Sequence, residues 1–169
     1  MIYPANYLKA RAYENHDVQR LMHQTKNDVH KTKNWVAAIF GLKGLAFLYA
    51  GIETLTDRLP NLFDKDPVDW KKTDPEFTDQ LKNLIKIKKL PIISEYKKYR
   101  VIDDGLDILH IEYHKDDERL VFLCNVSQVR DDVKIDFPSG EHINLFDGKT
   151  VRVAEGFVRL TKNPIILHI

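Results

Sequence analysis

The sequence predicts two architectures in succession: an α/β segment with parallel strands, then an antiparallel β-sandwich. Two observations carry this. Through the first 95 of 169 residues, apolar runs of strand length alternate with apolar residues at helical spacing, the pattern of a parallel sheet covered by helices. Beyond that point apolar positions recur every second residue between closely spaced turn signals, the pattern of short antiparallel strands. The boundary is expected between Ser94 and Tyr99, dividing 1–95 from 96–169.

In the first half, Tyr7 to Tyr13 reads as a strand. Trp35, Val36, Ile39, Phe40 and Leu42 recur at helical spacing, and Gly41 and Gly44 close that helix. Leu45 to Ala50 is a second strand-length run, ending at Gly51-Ile52-Glu53, and a loop rich in Asp and Pro spans Thr54 to Thr73. The next helix is the best marked. Asp74 suits the N-cap, Pro75 the first helical position and Glu76 the positive end of the dipole. Phe77, Leu81, Leu84 and Ile85 form its apolar face, joined by the stem of Lys88. Lys86, Lys88 and Lys89 favour the negative end, so this cluster reads as a helix terminus rather than a binding patch. Pro91 stops the helix. Two strand–helix units close neither a barrel nor a stable open sheet, because their strand edges stay unpaired.

In the second half, Leu109, Ile111 and Tyr113 alternate with His110 and Glu112. Leu120, Phe122 and Cys124 alternate with Val121, Leu123 and Asn125, and Val133, Ile135 and Phe137 with Lys134 and Asp136. Val151 and Val153 flank Arg152, and Ile165, Leu167 and Ile169 close the chain. The turns are Asp103-Asp104-Gly105, His114 to Glu118, Ser139-Gly140, Asp147-Gly148, Glu155-Gly156 and Asn163-Pro164.

Composition excludes several functions. With 26 basic and 25 acidic residues and a net charge of +1, the chain has no electrostatic footprint for nucleic acid or an anionic membrane. The apolar stretch from Trp35 to Ile52 is broken by Gly41, Lys43, Gly44 and Gly51 and makes a poor membrane span. A single cysteine forms no internal disulfide, and the N-terminal residues lack a leader pattern; both point to the cytoplasm. Cys124 reads as a buried inert thiol. Asn125-Val126-Ser127 fits a glycosylation sequon by chance.

The chemistry concentrates at Glu14-Asn15-His16-Asp17, at the end of the first strand, with Arg20 following. A strand ending in carboxylate, amide and imidazole is a common way to build a polar site. Glu14 should alternate away from Asn15, and most of Glu14, Glu53, Asp57, Asp64 and Asp66 read as loop and capping residues. His16, His23 and His30 recur every seven residues, whereas a helical metal site wants closer spacing and a carboxylate, so no metal is assigned. Trp35 reads as core; Trp70 is open between core and sugar platform. There is no Ser-His-Asp arrangement, phosphate loop or dinucleotide fingerprint.

Three ordered motifs carry a family resemblance. Ala10 to Arg20, with Glu14-Asn15-His16-Asp17 at its centre, resembles the last conserved region of the α-amylase family of glycoside hydrolases, at the end of the seventh barrel strand. Gly44 to Glu53 is similar to the eighth strand and its loop, with Leu45-Ala46 in place of the usual Thr-Pro and Ile52 in place of Gln. Leu62-Phe63-Asp64-Lys65-Asp66-Pro67-Val68-Asp69-Trp70 resembles the loop that follows. Asp74 to Pro91 matches the eighth helix, and the sandwich resembles the family's C-terminal domain.

The resemblance implies the last two βα units of a TIM-type (β/α)8 barrel over 1–95 and the C-terminal sandwich over 96–169. It implies a retaining hydrolase of α-linked glucosyl units in starch-like or malto-oligosaccharides. Asp17 would stabilise the oxocarbenium-like transition state, and His16, Asn15 and Arg20 would bind the sugar. The family's nucleophilic Asp and general-acid Glu precede the point where this chain begins, so the chain alone is expected to be inactive. Expected partners are an α-glucan and either the missing barrel segment or a second copy. The alternative is a non-catalytic sandwich module or one half of a split protein. No cofactor is expected; calcium is common in relatives, with no residue here assigned to it.

Overall fold

The computed structural model describes residues 7–169; the leader reading of residues 1–6 lies outside them. A two-residue strand, β1 (Ala10–Arg11), pairs in parallel with β2 (Leu45–Ala46). Between them run α1 (Leu21–Gln24) and α2 (Val29–Gly41). After β2 come α3 (Pro75–Lys88) and α4 (Pro91–Glu95). The rest is antiparallel: β3 (Lys98–Ile102), β4 (Leu109–Lys115), β5 (Glu118–Cys124), β6 (Asp132–Lys134), β7 (Gly140–Ile143), β8 (Thr150–Ala154), β9 (Phe157–Arg159) and β10 (Ile165–His168). These strands form two sheets, ordered β10-β5-β4-β3 and β6-β9-β8-β7.

The first sheet is covered on both faces. Leu120, Phe122 and Cys124 of β5, with Ile111 and Tyr113 of β4, pack against α2, α3 and α4. Val121 and Leu123 of β5, with Ile165 and Leu167 of β10, pack against Val133, Val153 and Val158 of the second sheet. This explains why β5 is apolar at successive positions: neither of its faces meets water. Burial also pushes the Cys124 thiol up from its ordinary value, which leaves it inert. The principal core therefore crosses the expected boundary at residue 95. Gly41 marks the junction. A Cβ there would meet Phe122 Cγ at 2.9 Å and Ile111 Cδ1 at 3.0 Å, and its carbonyl accepts the Tyr113 hydroxyl at 2.8 Å.

The helices start where side chains satisfy their free N–H groups. Asp74 accepts from Phe77 N (2.8 Å) with Pro75 at the first position, as the sequence predicts. α2 begins earlier than the apolar spacing suggests. Asp28 caps it by accepting from Lys31 N (3.0 Å), after left-handed backbone at Lys26 and Asn27 breaks it from α1. Pro91 ends α3 and also opens α4, since a proline costs nothing at a first helical position. Lys88 does more than lend its stem. Its ammonium donates to Phe40 O (2.9 Å) and Leu42 O (2.6 Å), carbonyls at the end of α2 that lack a helical partner. Burial lowers it to about 8.

The first-half strands are shorter than expected. Regular pairing is confined to Ala10–Arg11 and Leu45–Ala46, tied by Leu45 N to Lys9 O and Phe47 N to Arg11 O, both 2.9 Å. Each strand has a single neighbour among the described residues, so nothing holds the flanking residues extended. Gly44 is required where they converge: its φ is 102°, and a Cβ would lie 2.1 Å from Lys9 O.

Candidate functional site

The Glu14-Asn15-His16-Asp17 cluster sits at the C-terminal end of β1, and each residue has a distinct task. Asn15 Oδ1 accepts from Asp17 N (2.8 Å) and Val18 N (3.1 Å). This Asx turn reverses the chain and projects the next two side chains outward. His16 Nε2 lies 3.2 Å from Asp17 Oδ2, with side chains 59% and 69% exposed. They are the two members of the cluster free to meet a ligand.

Glu14 and Arg20 are buried instead. Arg20 Nη1 donates to Glu14 Oε1 (2.9 Å) and to Ala50 O (3.0 Å), while Glu14 Oε2 accepts from Leu21 N (2.6 Å) and caps α1. The Arg20 guanidinium also lies 4.5 Å from the Tyr49 ring centroid. The expectation for Glu14 as a capping residue matches this geometry. Arg20, 3% exposed, ties the site turn through these bonds to the segment that follows β2. No spacing rule in the sequence marks that tie, because Arg20 meets a backbone carbonyl 30 residues away.

Above the strand ends lies the 54–73 loop, which is more ordered than its composition suggests. Arg58 grips Asp66 through two bonds (2.6 and 2.5 Å), and Asn61 N donates to Asp66 (2.8 Å). These bonds hold the Asp66 carboxyl down at about 2. The closed loop presents Leu62 and Phe63, the latter 96% exposed. Trp70 begins a 3₁₀ turn (Trp70–Lys72) and is exposed. Trp35 packs at the core edge, edge-on to Tyr13 at 5.3 Å, in keeping with its core reading.

Two buried polar atoms at this end of the strand pair, Arg20 Nε and Glu53 Oε2, have no partner among the described residues. Glu14 and Asp66 are both committed to arginines. His16, His23 and His30 lie on different elements, with His30 Nδ1 bonded to Asn163 Oδ1 (2.8 Å). Among the described residues no group of three or more His, Cys, Asp or Glu is arranged to hold a metal. No described helix is long and apolar enough to cross a membrane. The Asn125 amide of the sequon is buried and donates to Val129 O and Thr161 O, both 2.9 Å.

The sandwich holds a polar cluster that the alternation of β4 hides. Glu112, 1% exposed, accepts from Arg100 (2.5 Å) and contacts His114 Nε2 (2.9 Å) and His110 Nε2 (3.2 Å). His110 Nδ1 reaches Asp104 at 2.9 Å. Burial alone would raise the Glu112 carboxyl, but bonds from His110, His114 and Arg100 outweigh it and hold it at about 2. His110 and Glu112, which alternate with the apolar residues of β4, are buried and paired.

A parallel strand pair bearing an exposed His-Asp turn at its C-terminal end is thus joined to an antiparallel double sheet. Residues 100–167 match the family model described as the bacterial alpha-amylase C-terminal domain. The whole chain is similar to an alpha-amylase from Lactobacillus plantarum (26% identity, TM-score 0.88), over 99% of this chain and 39% of that one. It shares the fold of the maltogenic alpha-amylase AmyB from Thermotoga neapolitana (18%, TM-score 0.76), over 99% of this chain and 42% of that one. The alpha-amylase of Geobacillus thermoleovorans, solved with acarbose, also shares it (19%, TM-score 0.66), over 95% of this chain and 38% of that one. The chain thus spans well under half the length of these relatives. No curated protein sequence matches it.

Proposed function

We propose that this chain is the C-terminal part of a retaining α-glucosidic hydrolase of the cytoplasm acting on starch-like or malto-oligosaccharides. Residues 1–95 supply the last two βα units of a (β/α)8 barrel, and residues 96–169 its C-terminal sandwich. The carrying observation is the exposed His16–Asp17 pair at the C-terminal end of a parallel strand, where barrel enzymes keep their sites, in a chain similar to an alpha-amylase along 99% of its length.

Asp17 stabilises the positive charge that develops on the sugar ring, and His16 bonds the same sugar. Asn15 shapes their turn, and Arg20 fixes it against β2. Retaining hydrolysis needs two further carboxyl groups about 5–5.5 Å apart. Glu14 and Asp66 cannot serve, being held by Arg20 and Arg58. The nucleophile and acid come from a barrel segment that covers the open strand edges and meets the unpartnered Arg20 Nε and Glu53 Oε2. The chain alone is inactive. The relatives solved with acarbose and with maltotriose support this substrate class.

The test has two arms. The chain alone should not release nitrophenol from a chromogenic α-glucoside; turnover that disappears in Asp17→Asn would overturn the claim of inactivity. A hybrid carrying this chain in place of the matching part of the Lactobacillus plantarum enzyme should be active and lose about 10²–10³-fold in kcat on Asp17→Asn, the usual scale for one charge-stabilising group. An unchanged rate would remove Asp17 from the site.

A second reading, a module that packs against another chain, is favoured by the exposed Leu8, Leu45 and Phe47. Concentration-dependent self-association in size-exclusion chromatography, with an inactive hybrid, is the result it expects.

A further inference from the structure

A cleft of about 390 Å³ opens between the start of α2, the β5–β6 turn and the β9–β10 turn. Its framework is cross-tied by amides. Asn125 Nδ2 donates to Val129 O and Thr161 O, both 2.9 Å, and Gln128 Nε2 donates to Asn125 O (2.9 Å) and Lys162 O (3.0 Å). From α2, Asn34 Nδ2 donates to Lys162 O (2.7 Å), and its oxygen accepts from Asn125 N (2.6 Å). Gln128 adopts a left-handed φ of 58°, a conformation that costs a non-glycine residue and persists where surrounding bonds impose it.

Cations left uncommitted line this rigid frame. The side chains of Arg130 and Lys162 make no hydrogen bond or ion pair among the described residues. Arg159, also in the lining, is ion-paired with Asp132 at 3.4 Å. The acidic side chain in the lining, Asp28, is spent on capping α2. Three cations, Arg130, Arg159 and Lys162, thus line the cleft against one carboxylate. Its volume falls in the range of small-molecule sites, roughly 300–1,000 Å³, and exceeds what a bare ion fills.

We propose that this cleft binds a small phosphomonoester, with the phosphate on Arg130, Lys162 and Arg159 and the polar body over the amide frame. An arginine fork suits phosphate oxygens through two parallel bonds, and a lysine adds a mobile point charge. Prior ordering of the frame by Asn34, Asn125 and Gln128 lowers the cost of binding.

Isothermal titration of the full chain with glucose 6-phosphate and with inorganic phosphate, at fixed ionic strength, tests this. The expected result is saturable one-to-one binding of both, tighter for the sugar phosphate. The double variant Arg130→Gln/Lys162→Gln should weaken it by about tenfold or more, equivalent to about 1.4 kcal/mol. Lys98→Gln, an exposed lysine on β3 in the other sheet, should leave it unchanged. All substituted residues are exposed, and circular dichroism verifies that the variants fold. Absence of saturable binding, equal affinity in the double variant, or equal weakening by Lys98→Gln would overturn the site. Inorganic phosphate binding as tightly as the sugar phosphate would overturn the phosphomonoester assignment.

Discussion

The β1–β2 pair and the β10-β5-β4-β3 sheet are built from runs of similar apolarity, yet they end in opposite states. In the sheet, β5 is paired along its length by β4 and β10, and every residue from Leu120 to Cys124 is buried. In the pair, Ala46 and Leu48 pack against the core, while Leu45 and Phe47 face outward and stay exposed. Strand length follows: seven residues in β5, two in β2. Partners, rather than local composition, decide how far a strand extends. The half of the molecule bearing the sugar-contact candidates is thus the half whose secondary structure is least complete.

The largest effect expected is at the junction. Phe122→Ala would empty the space where β5 meets α2 beside Gly41 and should cost about 3–5 kcal/mol, the range for a buried phenylalanine. Urea titration followed by both tryptophan fluorescence and far-ultraviolet dichroism checks it. Because the core crosses residue 95, the two signals should shift together. Separate transitions would mean that the halves unfold independently and that the contrast is one between domains.

Next is Glu112, the anchor of the polar cluster. Glu112→Gln leaves Arg100, His110 and His114 facing a neutral amide and should cost about 3 kcal/mol, as when one member of a buried pair is removed. The sign with pH follows from its depressed carboxyl. The stabilisation is fully present above the unfolded value, roughly 4.3, and is lost as pH falls towards about 2. The wild-type chain should therefore lose more stability than Glu112→Gln between those values. Parallel acid titrations of the two proteins would discard this account.

A smaller effect belongs to the helical layer. Asp28→Ala removes the cap of α2 and should cost about 1 kcal/mol, read as a drop in the urea midpoint with unchanged slope. An unaltered midpoint would mean that packing alone fixes where α2 starts.

These residues also show what a sequence can and cannot disclose. The Asp74-Pro75 start of α3 was legible because caps are local. So were the antiparallel strands, whose alternation is imposed by the sheet itself. The burial of His110 and Glu112 was not legible: an alternating polar residue looks solvated unless its partners on β3 and the β3–β4 turn are known. For the same reason the bond from Arg20 to Ala50 O is invisible in the sequence. In the turn, Asn15, His16 and Asp17 could be singled out by type, but only the Asx geometry separates the residue that shapes the turn from the two it presents.

The smallest expected effect tests the open face directly. Leu45→Lys places a charge on a side chain that is 58% exposed and should change the stability of the chain by no more than about 0.5 kcal/mol, as surface substitutions do. The same substitution in the hybrid enzyme would bury that charge under the barrel segment and should cost several times more, because an unpaired buried charge is not tolerated. A loss above about 2 kcal/mol in the chain alone would show that this face is already covered, and a concentration-dependent midpoint would identify the cover as a second copy. Equal, small losses in both contexts would mean that no segment lies over Leu45, and the closed barrel would have to be abandoned.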